Sequence, residues 1–486
     1  MSLASACWWT LARTILVCVV AWPLCVAVER WIRRASDGWR PFIFFLLLAP
    51  FLFPELLVGY SYRSLALSSP RLAEALCVGL LLFRVVPVGV ITLNASPAAL
   101  ASHSAIHCRW LLWKASQWSL GEAWQMVLCF WHGPIRRALP ALGLMSLVAF
   151  QEFELAALLQ TASWTDWFIA AQRVGLDRRE MLIQSAWPVL IQLPLIAGAI
   201  YWTVREHDAN GEQHDDPAGS GTFDRIAKIY LLLAVICGCL IPLGFLSMNL
   251  FSGIKLMVSQ RSQLTGLTHE MIIAMAVSVC AAMTAWCLSR SLTSNRKLGA
   301  LQMFQRSFLL PGLSGSLLLS LATGVLFQQQ WLHPFYDTPL PWVLALAIWL
   351  LPRAVLVQLW IRATSQTEGL HLSELLAGHA IPGSAIEGAN ATSPVVPASR
   401  ASALRFRLRD QPRLLAIALL CYWAYLDLSS AYLLAPSGMS SGLVRLYNFM
   451  HFGRTSALSA EATLFFGFPI IAAWLVFLIQ RTRSTR

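Results

Sequence analysis

Phe42–Tyr60 reads FIFFLLLAPFLFPELLVGY, and this stretch decides the class of fold. Its only charged residue is Glu55. A helix needs about 20 apolar residues to cross the hydrocarbon core of a bilayer, and this run has that length. Ten further runs share the pattern: Trp8–Val28, Leu72–Leu93, Ala138–Leu158, Leu182–Trp202, Ile229–Leu246, Met271–Leu288, Phe308–Phe327, Leu340–Trp360, Leu414–Leu434 and Ala462–Ile479. They are continuously apolar, whereas the strands of a membrane barrel alternate, so helices are expected. The whole chain agrees: of 486 residues, 57% are hydrophobic and only 12% charged. A soluble domain carries about a quarter charged residues. An ordinary soluble enzyme and a disordered scaffold are excluded. The expected fold is an all-α polytopic membrane protein with about eleven transmembrane helices.

The net charge of +12 points to the loops, not to nucleic acid, because cytoplasmic loops collect Lys and Arg. Segments 29–40, 94–137, 204–226, 289–307, 362–411 and 481–486 together hold 22 Lys and Arg, against 9 in the alternate set. That bias sets the expected orientation in an inner (cytoplasmic) membrane: N-terminus outside, C-terminus cytoplasmic. The apolar start lacks a charged leader, so it reads as a retained span and not a cleaved signal. The eleven cysteines sit mostly singly in apolar runs, with no CxxC pair, and read as buried reduced thiols.

Residues 205–226 form a polar stretch, expected to be a cytoplasmic linker between a first half, 1–204, and a second, 227–486. Residues near 379–403 are rich in Ala, Gly, Ser and Pro and read as a flexible insertion. The halves share an order of features. Pro50 and Pro311 follow Leu-rich turns; LLFRVVPVGV and IWLLPRAVLV each carry one arginine, Arg84 and Arg353. A long basic loop comes next, then Pro140 or Pro412 and a span bearing acids, Glu152 and Glu154 or Asp427. The same order in the same orientation is a parallel repeat about an axis along the membrane normal. Span Ile229–Leu246 has no counterpart in the first half. Ionisable residues inside spans usually face a cavity or a partner. Glu154 lies about 24 Å along its helix from the cytoplasmic end, near the outer side. Glu152, Glu154 and Asp427 are therefore candidates to line a solute path, with interfacial capping as the alternative, and Glu55 is a further candidate.

Leu434–Leu464, LAPSGMSSGLVRLYNFMHFGRTSALSAEATL, resembles the late segment of ferric-iron-type ABC importer permeases. Pro436, Gly438, Leu443, Arg445, Leu446, Tyr447, Gly453, Arg454 and Ala462 carry the resemblance. A weaker echo of the family's ATPase-docking loop lies in GEAWQMVLCFWHGPIRRALP, with Glu122, Ala123, Trp124 and Pro140; SELLAGHAIPG supplies Glu374, Ala377 and Gly378. Both loops depart from the family pattern: Leu128 stands at the glycine position and Trp124 at the second alanine. The docking reading has a simple mechanical content. A short helix with an acid near its N-terminus sits in a groove of a soluble partner, and Pro140 suits the first turn of the next helix.

The resemblance implies two permease halves fused in one chain, a cytoplasmic ATP-binding subunit in two copies, and an extracytoplasmic solute-binding protein. ATP is then bound by the partner, and the chain itself needs no cofactor. It implies ferric iron or another small solute as cargo. No GxxxxGK[ST] loop, HExxH or GxSxG motif occurs, so the chain is not expected to be an enzyme, to bind ATP or to hold a metal. The rival readings are an integral-membrane enzyme of the lipid-linked transferase type, using Glu152 and Glu154, and a permease relative no longer coupled to ATP.

Overall fold

The computed structural model describes residues 2–36, 38–96, 103–115, 120–205, 221–259, 261–292, 307–364, 406–439, 441–452 and 455–485. Among these residues all regular structure is helical. Six helices are long and apolar enough to cross a membrane: Leu3–Arg34, Pro70–Asn94, Gly221–Ser259, Leu264–Leu292, Leu340–Ile361 and Ser456–Ile479. The number rises to nine if each of three bent pairs is one span: Arg40–Leu52 with Glu55–Ala66 (67°), Arg178–Gln184 with Ala186–Gly198 (48°), and Leu408–Tyr425 with Leu428–Leu434 (53°). Arg137–Phe150 and Ser316–Phe327 are apolar but shorter. Each of the eleven apolar runs thus falls on helical chain, but several runs are not single straight helices.

The departures have local causes. Phe42–Tyr60 breaks at Phe53-Pro54, because Pro54 cannot continue the hydrogen-bond ladder, and Glu55 opens the next helix. Pro50, by contrast, lies inside the first helix. Phe308–Phe327 divides into Leu309–Leu313 and Ser316–Phe327, with Gly315 at φ +100° between them. That backbone conformation is open to glycine and strained for other residues. Other helices outrun their apolar cores: Gly221–Ser259 begins inside the polar 205–226 stretch, and a helix runs from Arg261 to Leu292.

The chain divides into two compact units. The first comprises Met1–Asn249 and Leu313–Val325; the second comprises Leu250–Gly312 and Leu326–Arg486. In the first, helix Leu3–Arg34 packs on Pro70–Ala95, Arg136–Phe150 and Gly221–Val235. Ala21, Cys25, Val28, Val86, Val90, Ala141 and Met145 fill the seam. Gly89 permits this approach, since a Cβ there would meet Cys25 Sγ at 2.6 Å. In the second unit, Arg261–Leu292 packs on Leu340–Thr364 and Gln411–Tyr425, and Gly442–Phe452 packs on Thr455–Thr485. The opposite helix faces stay apolar: Ile15, Leu16 and Val19, or Ile470, Ile471 and Trp474, are exposed. A helix apolar on both its packed and its open face suits lipid and not water.

Candidate functional site

A break in a membrane span frees backbone groups that hydrocarbon cannot solvate, so side chains must take them up. In the first unit, helix Arg136–Phe150 stops and helix Glu154–Leu159 begins after Gln151-Glu152-Phe153. Glu152 accepts hydrogen bonds from Leu155 N at 2.6 Å and Ala156 N at 3.2 Å. The Trp164 indole donates to Phe150 O at 2.7 Å, and the Thr165 hydroxyl to Glu152 O at 2.8 Å. Gln151 Nε2 reaches Leu313 O at 2.6 Å and Gln192 Oε1 at 2.7 Å. The second unit repeats the device. Helix Gln411–Tyr425 ends, Asp427 accepts from Ser430 N at 2.8 Å, and Leu428–Leu434 follows. Carboxylates also suit the positive end of a helix. Glu152 and Asp427 are therefore buried caps, and Glu154 is the half-buried first residue of its short helix.

Ion pairs lie close to these breaks. Glu55 pairs with Arg84, whose guanidinium also reaches Phe53 O at 3.4 Å and lies 5.3 Å from the Phe51 ring. The Glu55 carboxyl also faces that of Glu152. Arg13, buried, makes a two-pronged pair with Glu74 at 2.8 and 2.9 Å and donates to Ala162 O at 2.7 Å. Arg353 instead lies 3.8 Å above the Trp349 ring and donates to Trp349 O at 2.9 Å. Towards the other end of the first helix, Glu29 binds both Arg33 and Arg137.

The segment that carries the family resemblance borders a cavity of about 780 Å³. Pro436, Gly438, Ser441, Arg445, Asn448 and Phe449 are among its lining residues. The turn is closed by Met439 N donating to Pro436 O at 3.0 Å, with Gly438 at φ +86°, the third position of a type II turn. Asp337 clamps it from the preceding loop, accepting from Ser437 N at 2.7 Å and from the Ser437 hydroxyl at 2.5 Å. Those two bonds hold the Asp337 carboxyl below its ordinary range. Arg445 turns inward, donating to Glu461 Oε1 at 2.6 Å and lying 3.7 Å from Glu270 Oε1. Tyr447, next but one, is buried. Glu270 and Glu461 escape a sequence reading because they stand at the ends of what look like polar loops; the helices extend past the apolar runs to include them.

Glu122 lies in the first turn of helix Leu120–Phe130, 3.4 Å from Arg109 on helix His103–Ala115. Ala123 is half-buried, and Trp124, Val127, Leu128 and Trp131 present an exposed apolar face. The chain bends at Gly133 (φ −101°, ψ −111°), so a glycine does supply the turn, five residues beyond Leu128. Pro140 is buried and lies inside helix Arg136–Phe150, not in its first turn. The helix starts earlier than expected because Arg136-Arg137 follow the bend directly. Glu374, Ala377, Gly378, Gly453, Arg454 and the 379–403 insertion lie outside the described residues. Among the described residues no three His, Cys, Asp or Glu side chains gather as a metal site. Comparison with protein families, with curated proteins and with solved structures finds no match.

Proposed function

We propose that the chain is the transmembrane permease of an ATP-driven, binding-protein-dependent importer, with two parallel permease halves in one polypeptide. The observation that carries this reading is an order of helices that occurs twice, with an acid-capped break at the same place. A long opening helix (Leu3–Arg34; Arg261–Leu292) precedes a divided one (Arg40–Leu52 and Glu55–Ala66; Leu309–Leu313 and Ser316–Phe327). A long helix with an internal proline and an arginine within three residues of it follows (Pro70–Ala95, Pro87 and Arg84; Leu340–Thr364, Pro352 and Arg353). Then come the capped breaks at Glu152 and Asp427, a helix of about three turns (Trp164–Arg173; Gly442–Phe452), and a closing helix (Ala186–Arg205; Thr455–Thr485). Gly221–Ser259 stands outside the pairing. The count of eleven spans rests on taking the three bent pairs and the two shorter helices as membrane segments.

On this reading the exposed face around Trp124, with Glu122 at its N-terminal end, meets one copy of a cytoplasmic ATP-binding subunit, and Glu374–Gly378 meets the other. An extracytoplasmic solute-binding protein delivers cargo, and the halves rock to open a path. Glu152, Glu154 and Asp427 border that path, Glu152 and Asp427 at the breaks they cap. Ferric iron or a ferric chelate is the cargo the motif resemblance favours, and acids along the path favour cations over anions. The test is purification from native membranes in mild detergent. A co-purifying pair of ATP-hydrolysing subunits, whose solute-stimulated hydrolysis falls in Glu122→Lys and Glu374→Lys, is the expected result. A stable, folded chain with no such subunit sinks the ATP-driven reading and leaves the uncoupled relative.

A further inference from the structure

Four helices of the first unit meet at one junction: the end of Leu3–Arg34 and the starts of Arg40–Leu52, Arg136–Phe150 and Gly221–Val235. Cations crowd it. Glu29, buried, binds Arg33 at 2.5 Å and also Arg137. Asp224 lies 3.5 Å from Arg34. Arg40 donates to Arg33 O and Ala35 O, each at 3.0 Å, and so closes the C-terminus of the first helix. Arg30 and Lys228 meet aromatic rings instead, 5.0 Å from that of Phe223 and 5.8 Å from that of Trp31. A ring holds a cation in place without neutralising it. Six cations thus share two acids among the described residues. Counting Asp37, between the first two helices in sequence, leaves the balance positive.

The chain beside the junction is apolar and open. Trp39 and Phe42 pack edge to face at 5.9 Å and both are exposed, as is Phe45 one turn further along Arg40–Leu52. Ile226 and Ile229 are exposed on Gly221–Val235. Indole rings collect at the level of lipid headgroups, and apolar side chains beyond them suit the acyl chains. Excess positive charge therefore stands where membrane helices end, next to surface that water does not favour. Basic pockets between membrane helices hold the headgroups of anionic lipids. A guanidinium also matches a phosphate geometrically, since its fork of N–H groups can donate to two oxygens at once.

We propose that this junction binds the phosphate of an anionic phospholipid through Arg30 and Lys228, with the acyl chains along the exposed apolar faces of Arg40–Leu52 and Gly221–Val235. The inference needs these helices to end at a bilayer surface and is independent of the importer reading. The test titrates the full chain in mild detergent with phosphatidylglycerol or with phosphatidylcholine of the same acyl chains, read by native mass spectrometry. The wild-type chain is expected to retain phosphatidylglycerol in preference. Each basic group beside an anionic lipid strengthens binding about fivefold, so the double variant Arg30→Gln, Lys228→Gln is expected to bind it about twenty-five-fold more weakly. Arg71→Gln with Lys255→Gln removes the same charge at exposed sites elsewhere and is expected to keep the preference. Undiminished binding in the first variant, or equal loss in both, overturns the proposal. Displacement of the lipid by soluble glycerol phosphate also overturns it, and makes the site one for a free phosphate. No preference in the wild type overturns it too. A preference gained on neutralising the five acids of 206–216 would then name the chain's own acidic run as the occupant. If the first double variant does not fold, Lys228→Gln decides alone, with a fivefold loss expected.

Discussion

Arg13 offers the sharpest test of the packing in the first unit. Its guanidinium is 5% exposed and bonds Glu74 through two nitrogens, with Nη2 also serving the Ala162 carbonyl. Glu74 further accepts from the Trp9 indole at 2.8 Å. Arg13→Met keeps the apolar stem and removes the charge, leaving the Ala162 carbonyl without this donor and the Glu74 carboxylate without its counter-charge, held only by the Trp9 indole. Breaking a buried pair from one side costs roughly 3–5 kcal/mol. Glu74 is 28% exposed, so water recovers part of the loss, and about 3 kcal/mol is the reasonable figure. For a unit of this size each kcal/mol moves the midpoint by about 2–4 °C, so a fall of about 6–12 °C is expected. A thiol-reactive dye reads this directly, because Cys7, Cys18, Cys25 and Cys77 are free, buried and in this unit. The double variant Arg13→Met, Glu74→Gln removes the stranded charge and should recover more than half of the fall. A single variant within about 2 °C of wild type would refute the reasoning, since the pair would then contribute no more than a surface ion pair.

Gly253→Val should fail to give a monodisperse protein on size exclusion, because a Cβ at that position would sit 2.0 Å from Ser456 O, a backbone atom that cannot rotate away; a normal yield would refute the close helix contact. Asp427→Ala should lower thermal stability by about 1 kcal/mol through loss of its cap, whereas Asp427→Asn, which keeps an acceptor, should lose a few tenths; equal losses in the two variants would point to the charge and not the cap. The Asp337 clamp should respond to acid. Its folded carboxyl titrates below the ordinary aspartate range, so its contribution is present above that range and is lost as pH falls through the depressed value. Limited proteolysis of the Pro436–Met439 turn should quicken on acidification in the wild type, while Asp337→Ala should be cut quickly at every pH.

The long apolar helices were legible in the sequence because hydropathy over a window is the signal lipid itself selects. The breaks were not. Pro50 and Pro54 look alike to such a window, yet only Pro54 opens a new helix, since Glu55 behind it can pair with Arg84. Glu152 and Asp427 stood out as acids in apolar runs, but their work as caps depends on which residues leave helical geometry. The Arg445 cluster was half visible. Arg445 belongs to a motif, while its partners arrive from two other helices at positions that read as loop ends. Arg84 and Arg353 occupy matched places in sequence and still differ, one bound to an acid and the other laid on Trp349.

The short segment Leu313–Val325 belongs to the first compact unit although the chain on either side of it belongs to the second. Its Leu313 carbonyl receives one of the amide bonds that Gln151 makes at the Glu152 break. A gene split in the polar stretch after Arg205 would therefore not yield two self-sufficient products. The upstream product would wait for a piece encoded downstream, and its capped break would lack that acceptor until the piece arrived. A single chain supplies this piece at a fixed one-to-one ratio, with no encounter between separate chains required.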